Sequence, residues 1–336
     1  MRALVISGLG QTRFTDIAKP ALMAGEVEVL IRHIGICGSD LNTFRGTNPL
    51  VTLPRIPGHE ISGVVAALGA GVQGLAIGQR VTVLPYTSCG ICTACRVGRV
   101  NACRYNRTLG VQQNGALTER ITVASASIIS NDTLPARHLA LVEPLSVGFH
   151  AVWRGRVAPA ERVLVIGFGM IGAGAVLGAV QRGAEVTVVD PSPAKRALAL
   201  GFGVSQAVDP AHAATELERI AAGDGFDVVI EAVGLPETFT QAVEQASYAG
   251  RVVYIGYCKA PVTYQTQMFN LKELDILGSR NAVLADFEAA IGWLEAVGSS
   301  ADQLISRAFS FDQANEALPF FAANRDTTLK VMVDYE

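Results

Sequence analysis

The sequence predicts an α/β chain in two parts, a β-rich region followed by a doubly wound parallel sheet. Three observations carry that expectation. Residues 1–141 read as short β-type runs, MRALVI, EVEVLIRHIGI, ISGVVAALG and QRVTVLPY, cut by turn signals at Ala24-Gly25, Pro57-Gly58 and Gly69-Ala70-Gly71. After Glu143-Pro144, near-continuous apolar strands alternate with small-residue helical segments, which is how a parallel sheet covered on both faces reads. The chain has 336 residues, 50% hydrophobic and 17% charged, so it can bury enough apolar surface to offset its lost conformational entropy, and its length favours two domains.

The net charge of −3 lacks the excess of cations that a dedicated nucleic-acid binder carries, so no nucleic-acid partner is expected. The start, MRALVISGLGQTRF, has no basic, apolar and small-residue series of a signal peptide, and a reducing cytoplasm is the expected location. The apolar run VLVIGFGMIGAGAVLGAV at 163–180 approaches the length of the shortest membrane spans. Its five glycines and its β-branched start predict a buried strand, a turn and a buried helix instead, and no membrane partner.

In the second half, strands are expected at 162–167, 185–190, 226–234, 251–256 and 275–279, with helices at 193–200 and 238–248 among them. Beyond Ala282, ADFEAAIGWLEAVGSS has helical periodicity and LKVMVDY at 329–335 reads as a strand. Periodicity leaves open whether that strand extends the α/β sheet or returns to the first domain.

Gly167, Gly169 and Gly172 form GxGxxG with Phe168, Met170 and Ile171, directly after a strand and at the start of a helix. The first glycine permits the tight turn, the second lets backbone approach a pyrophosphate, and the third lets helix pack on strand. Asp190 ends the next strand, where a carboxylate accepts from the adenosine ribose and repels a 2′-phosphate, so NAD is expected over NADP. Lys195 and Arg196 follow closely and soften that preference. Val233, Ile255 and Ser279, at or near the ends of later strands, complete the expected cofactor contacts.

Four of the six cysteines, Cys89, Cys92, Cys95 and Cys103, lie within fifteen residues as CxxCxxC, seven residues and a final Cys. Four thiolates on one loop suit a closed, structural zinc site; an iron–sulfur reading is disfavoured because Arg104 stands where the ferredoxin pattern has proline. Cys37 in GICGSD, with His59 and Glu60 in PGHE, offers a thiolate, an imidazole and a carboxylate. If they converge, they leave zinc a fourth position for water or substrate, as a Lewis-acid catalyst requires. Taken singly, each has an ordinary structural reading.

In order, GICGSD, GHE, the four-cysteine loop, VEPLSVG at 142–148 and GxGxxG resemble the zinc-dependent medium-chain dehydrogenases over essentially the whole chain. The resemblance implies a GroES-like catalytic domain at 1–144, a Rossmann NAD domain at 145–282, and a segment at 283–336 that returns to the catalytic domain. The glutamates of GHE and VEPLSVG resemble the polyol (sorbitol), threonine and sugar-acid branch. That implies Cys37, His59 and Glu60 as catalytic-zinc ligands, Glu143 at the same metal directly or through water, Ser39 as the hydroxyl passing the substrate proton outward, and Asp40 holding His59. Asn42 stands where many relatives have a histidine, and Lys195 where they have an arginine.

FRGTNPLVTLPRIPGHE and GSRNAVLADFEAA further resemble bacterial dehydrogenases that oxidise hexonates, such as L-galactonate or L-gulonate, at carbon 5. For a carboxylate substrate, Arg45 or Arg107 is the candidate planar partner. The expected activity is reversible oxidation of a secondary alcohol with hydride transfer to NAD, with two zinc ions per chain and a homotetramer or homodimer. A threonine or simple-alcohol dehydrogenase, or a non-catalytic nucleotide-binding regulator on the same scaffold, are the alternatives.

Overall fold

A computed structural model describes residues 1–335. Its contacts divide the chain into two units, Met1–Glu143 with Ile291–Glu336, and Pro144–Ala290.

In the first unit, β1 (Arg2–Gly8) and β2 (Gln11–Asp16) form an antiparallel pair. β3 (Glu26–Ile36), β4 (Glu60–Leu68), β5 (Arg80–Val83), β6 (Arg120–Ala124) and β7 (Ile128–Ser130) build an antiparallel sheet in which eleven-residue β3 is central, flanked by β4 and β6. Its apolar side chains, among them Val29, Ile34, Ile36, Ile61 and Val81, form one core with Ile6, Leu117 and Leu318. Loops cut by glycine and proline connect these short strands; Cys37, His59 and Glu60 lie on them or at strand ends, whereas Cys95 lies in helix Thr93–Arg96 and Glu143 in helix Val142–Arg154.

The second unit carries a six-stranded parallel sheet: β8 (Arg162–Ile166), β9 (Glu185–Val189), β10 (Gln206–Val208), β11 (Phe226–Glu231), β12 (Ala246–Tyr254) and β13 (Asp275–Gly278). The order β10-β9-β8-β11-β12-β13 reverses direction between β8 and β11, the switch point beside which doubly wound sheets bind ligands. The apolar run after Arg162 is strand, turn and helix, with helix Met170–Gln181 buried along most of its length. Among the described residues, no helix is long and apolar enough to cross a membrane.

Two expectations need correction. The helix expected to reach residue 248 stops at Gln245, and β12 begins at Ala246 rather than 251, because the backbone turns extended at Ala246, with φ −70° and ψ 139°. The second unit also runs to Ala290, inside helix Leu284–Val297, rather than stopping at 282. The chain then returns to the first sheet: β14 (Ile305–Ser310) pairs with β15 (Lys330–Asp334), and β15 pairs antiparallel with β3.

Candidate functional site

The helix Gly38–Phe44 starts where β3 ends, and Cys37 caps it. Cys37 Sγ accepts from Ser39 N at 3.5 Å, and Cys37 N donates to Asp40 Oδ2 at 3.0 Å. The other Asp40 oxygen accepts from Gly58 N at 3.4 Å, so one buried carboxylate ties the helix start to the turn before His59. Glu60 opens β4 opposite Gly35 of β3; a Cβ at Gly35 would come within 1.9 Å of Glu60 Oε2, so the carboxylate occupies space that any side chain there would fill. The structure thereby brings Cys37, His59 and Glu60 together, with one ligand atom from each within 4.8 Å of the others. A sulfur, a nitrogen and an oxygen donor in a largely buried site match zinc in its three-protein-ligand form.

The electrostatics fit a cation. His59 Nδ1 is buried with no hydrogen-bond partner, and Asp40 Oδ1 stands 3.9 Å from it, near enough for charge attraction but too far for a hydrogen bond. Burial opposes a charged imidazole, yet Asp40 and Cys37 outweigh it and raise the His59 pKa well above 6.5. Lys330 Nζ lies 2.5 Å from each Glu60 oxygen, with Lys330 2% and Glu60 0% exposed. This counter-charge is absent from the motif reading; the only trace in the sequence is a lysine inside the apolar run LKVMV.

Glu143 is buried and stands outside that donor group. Tyr86 Oη donates to Glu143 Oε1. Burial pushes the Glu143 carboxyl up to about 7, opposed by the charge of His59 and reinforced by that of Glu60. Tyr86, which motif spacing does not single out, is held well above its ordinary 10 by burial and by Glu143.

Cys89, Cys92, Cys95 and Cys103 form a second candidate metal centre. Cys92 Sγ lies 3.5 Å from Cys95 Sγ and 3.9 Å from Cys103 Sγ, and Cys89 Sγ lies 4.0 Å from Cys95 Sγ. Four bonds of about 2.3 Å to one tetrahedral zinc would place sulfurs roughly 3.8 Å apart. Backbone amides support the thiolates: Cys89 N donates to Cys103 Sγ at 3.4 Å, Cys92 N to Cys89 Sγ at 3.4 Å and Tyr105 N to Cys103 Sγ at 3.3 Å. Backbone hydrogen bonds from Cys95 and Arg104 lower Cys92 to about 6, whereas desolvation and then Cys92 raise Cys95 to about 11.

In the second unit, the glycine loop follows β8. Gly167 has φ 97°, and a Cβ on Gly172 would come within 2.0 Å of Gly167 O, so helix Met170–Gln181 can close on the loop only with glycine there. Nothing in the protein lies within 4 Å of a Cβ built on Gly169, so the face beside this helix N-terminus can admit a phosphate. Met170 is buried and Ile171 half-buried behind it. Asp190 holds the loop from β9: Oδ2 accepts from Phe168 N at 2.8 Å and Oδ1 from Ser192 N at 2.9 Å. Lys195 lies buried in the first turn of helix Pro193–Gly201, while Arg196 is drawn onto the carbonyls of Asp190 and Pro191 and onto Asp209.

The ends of the later strands collect the remaining cofactor candidates. Glu231 Oε1 accepts from Val233 N and Gly234 N at 2.8 Å and from Thr238 Oγ1 at 2.7 Å, and Glu231 O accepts from Ile255 N at 2.9 Å. Ser279 N donates to Tyr254 O at 2.9 Å; Ser279 Oγ and Glu231 Oε2 are buried without a partner, polar groups suited to a bound nucleotide. Glu231 also escapes the motif reading, although an acid closing the apolar strand FDVVIE is its signal. Ser39 Oγ, three residues from Asn42, is likewise buried and unpartnered. Asn42 is exposed, Arg45 is exposed and donates to Ala322 O at 2.9 Å, and Arg107 is exposed.

Comparison with known proteins shows the family and the fold. The family profile of zinc-binding dehydrogenases matches residues 171–296, and that of the alcohol dehydrogenase GroES-like domain matches residues 23–133. The chain is similar to an L-galactonate-5-dehydrogenase of Escherichia coli K12, 34% identical over 92% of each chain. Among solved structures, an alcohol dehydrogenase of Escherichia coli CFT073 in complex with NADH is 30% identical, with TM-score 0.92 over 100% of this chain and 99% of that one. A Sinorhizobium meliloti 1021 chain bound to NADP is 32% identical, with TM-score 0.89 over 99% and 98%.

Proposed function

The chain belongs to the zinc-binding dehydrogenases with an alcohol dehydrogenase GroES-like domain, and on that premise we propose that it oxidises a secondary hydroxyl of a sugar acid, a hexonate, to the ketone with NAD as hydride acceptor. The observation that carries this reading is the convergence of Cys37, His59 and Glu60 within 4.8 Å in the unit that also holds Ser39 and Glu143. A hexonate rather than a plain polyol is favoured by the similarity to an L-galactonate-5-dehydrogenase.

Cys37, His59 and Glu60 hold the catalytic zinc, and the four-cysteine loop holds a second, structural one, giving two per chain. Zinc supplies positive charge that makes a substrate hydroxyl easier to ionise. Ser39 Oγ, buried and unpartnered, would accept the proton leaving that hydroxyl while its own hydroxyl proton goes to solvent water; Asn42 takes no part, because an amide does not titrate near neutrality. Glu143 adds an acceptor beside the same donors. Arg107 is the better candidate for the substrate carboxylate, since Arg45 already serves the Ala322 carbonyl.

Gly167, Gly169 and Gly172 cradle the NAD pyrophosphate, and Val233, Ile255 and Ser279 line the strand ends beyond it. NAD accepts hydride. Asp190 supports NAD over NADP: two backbone amides fix it, its spare lone pairs remain for ribose hydroxyls, and its charge repels a 2′-phosphate. Arg196, engaged by two carbonyls and Asp209, does not offset that repulsion. We place the enzyme in the cytoplasm, whose reducing conditions suit its six free cysteines, as a homodimer or homotetramer.

A reduced-cofactor screen over hexonates, alditols, threonine and simple alcohols, run with NAD and with NADP, tests the assignment. Turnover of hexonates with NAD is expected, and Cys37→Ala should abolish it while NAD still binds. Full activity in that variant would remove the zinc assignment, and turnover of threonine alone would replace the substrate.

A further inference from the structure

We propose that Tyr86 is a positioning residue that holds the Glu143 carboxylate back from the donor group Cys37, His59 and Glu60, and so keeps one metal position open for the substrate hydroxyl.

Tyr86 is firmly anchored. It follows β5 in a segment pinned on both sides: Leu84 N donates to Ser127 O at 2.8 Å, and Leu109 N to Pro85 O at 3.0 Å. Thr87 N donates to Asn106 Oδ1 at 3.2 Å, and Arg107 N donates to Thr87 Oγ1 at 2.8 Å. The backbone that carries the phenol is therefore held on both sides. From this anchor Tyr86 Oη donates to Glu143 Oε1.

The opposing pull is equally visible. Glu143 is buried, feels the charge of His59, and lies close enough to raise His59 in turn, yet it is not one of the atoms that converge within 4.8 Å. A cation added to that donor group would attract the carboxylate further, and carboxylates are competent zinc ligands. A fourth protein ligand would convert an open site into a closed one. The phenol is the neutral donor that offers Glu143 an alternative partner without adding charge.

This inference rests on the open zinc site proposed above, and one experiment separates the two. Zinc release to a chelator is followed in wild type, Tyr86→Phe, Glu143→Ala and the double variant, with Cys37→Ala giving the baseline of the four-cysteine site. Tyr86→Phe should release the open-site zinc about tenfold more slowly and raise KM about tenfold, with kcat within about twofold. The double variant should release at the rate of Glu143→Ala, losing the Tyr86→Phe effect. Unchanged or faster release from Tyr86→Phe, or release from the double variant slower than from Glu143→Ala, overturns the proposal while the zinc site stands. A wild type with only one releasable zinc overturns both.

Discussion

Lys330 Nζ bridges the two oxygens of Glu60 at 2.5 Å each, inside a core where neither side chain reaches solvent. Removing one member of a buried pair strands the other charge, at a cost of about 3–5 kcal/mol. Lys330→Met should lose that much stability in chelator, and zinc, supplying the missing positive charge beside Glu60, should restore part of it. Urea unfolding with chelator and with zinc measures both. A loss below about 1 kcal/mol in chelator would mean that the pair contributes little.

Glu143 makes the metal-free protein sensitive to pH. Its carboxyl titrates at about 7 in the fold against an ordinary 4.5, so between those values the folded state keeps a proton that the unfolded chain has lost. Stability therefore falls as pH rises through this window, by about 3 kcal/mol once pH passes 7. Unfolding of chelated protein at about pH 5 and pH 8 should show the drop, and Glu143→Gln should remove the share that falls below pH 7, leaving the share due to His59, which is also held above its ordinary 6.5. An equal drop in Glu143→Gln would assign it to another group.

The four-cysteine loop should reveal itself by unequal reactivity. With Cys92 at about 6 and Cys95 at about 11, metal-free protein at neutral pH carries Cys92 mostly as thiolate and Cys95 as thiol. Brief alkylation followed by peptide mapping should label Cys92 roughly tenfold or more ahead of Cys95, and zinc should protect both. Labelling of Cys95 first would contradict the arrangement of backbone donors.

The motifs were readable because their partners are local. GxGxxG places its glycines on one turn, CxxCxxC places its thiols on one loop, and the strands of the second unit announce themselves as apolar runs. Tyr86 and Lys330 were not readable, because their partners lie 57 and 270 residues away and neither sits in a pattern that demands one. The end of helix Pro236–Gln245 is hidden for a related reason: Ala246 has a high helical propensity, and its extended φ −70° and ψ 139° come from the surrounding structure, not from residue type. Likewise, an aspartate three residues after Cys37 suggests a partner for His59, but only the fold shows that its bonds go to Cys37 N and Gly58 N.

β15 lies between β14 and β3, and it carries Lys330. At a synthesis rate of about 5–20 residues per second, the 270 residues from Glu60 to Lys330 take roughly 15 to 55 seconds to emerge. For that time the nascent chain holds Cys37, His59 and Glu60 without the lysine that will neutralise the carboxylate, and β3 presents an unpaired edge where β15 will dock. A chaperone or an early-bound metal ion has its window there, and the order of arrival decides whether Glu60 first meets an ion or an ammonium.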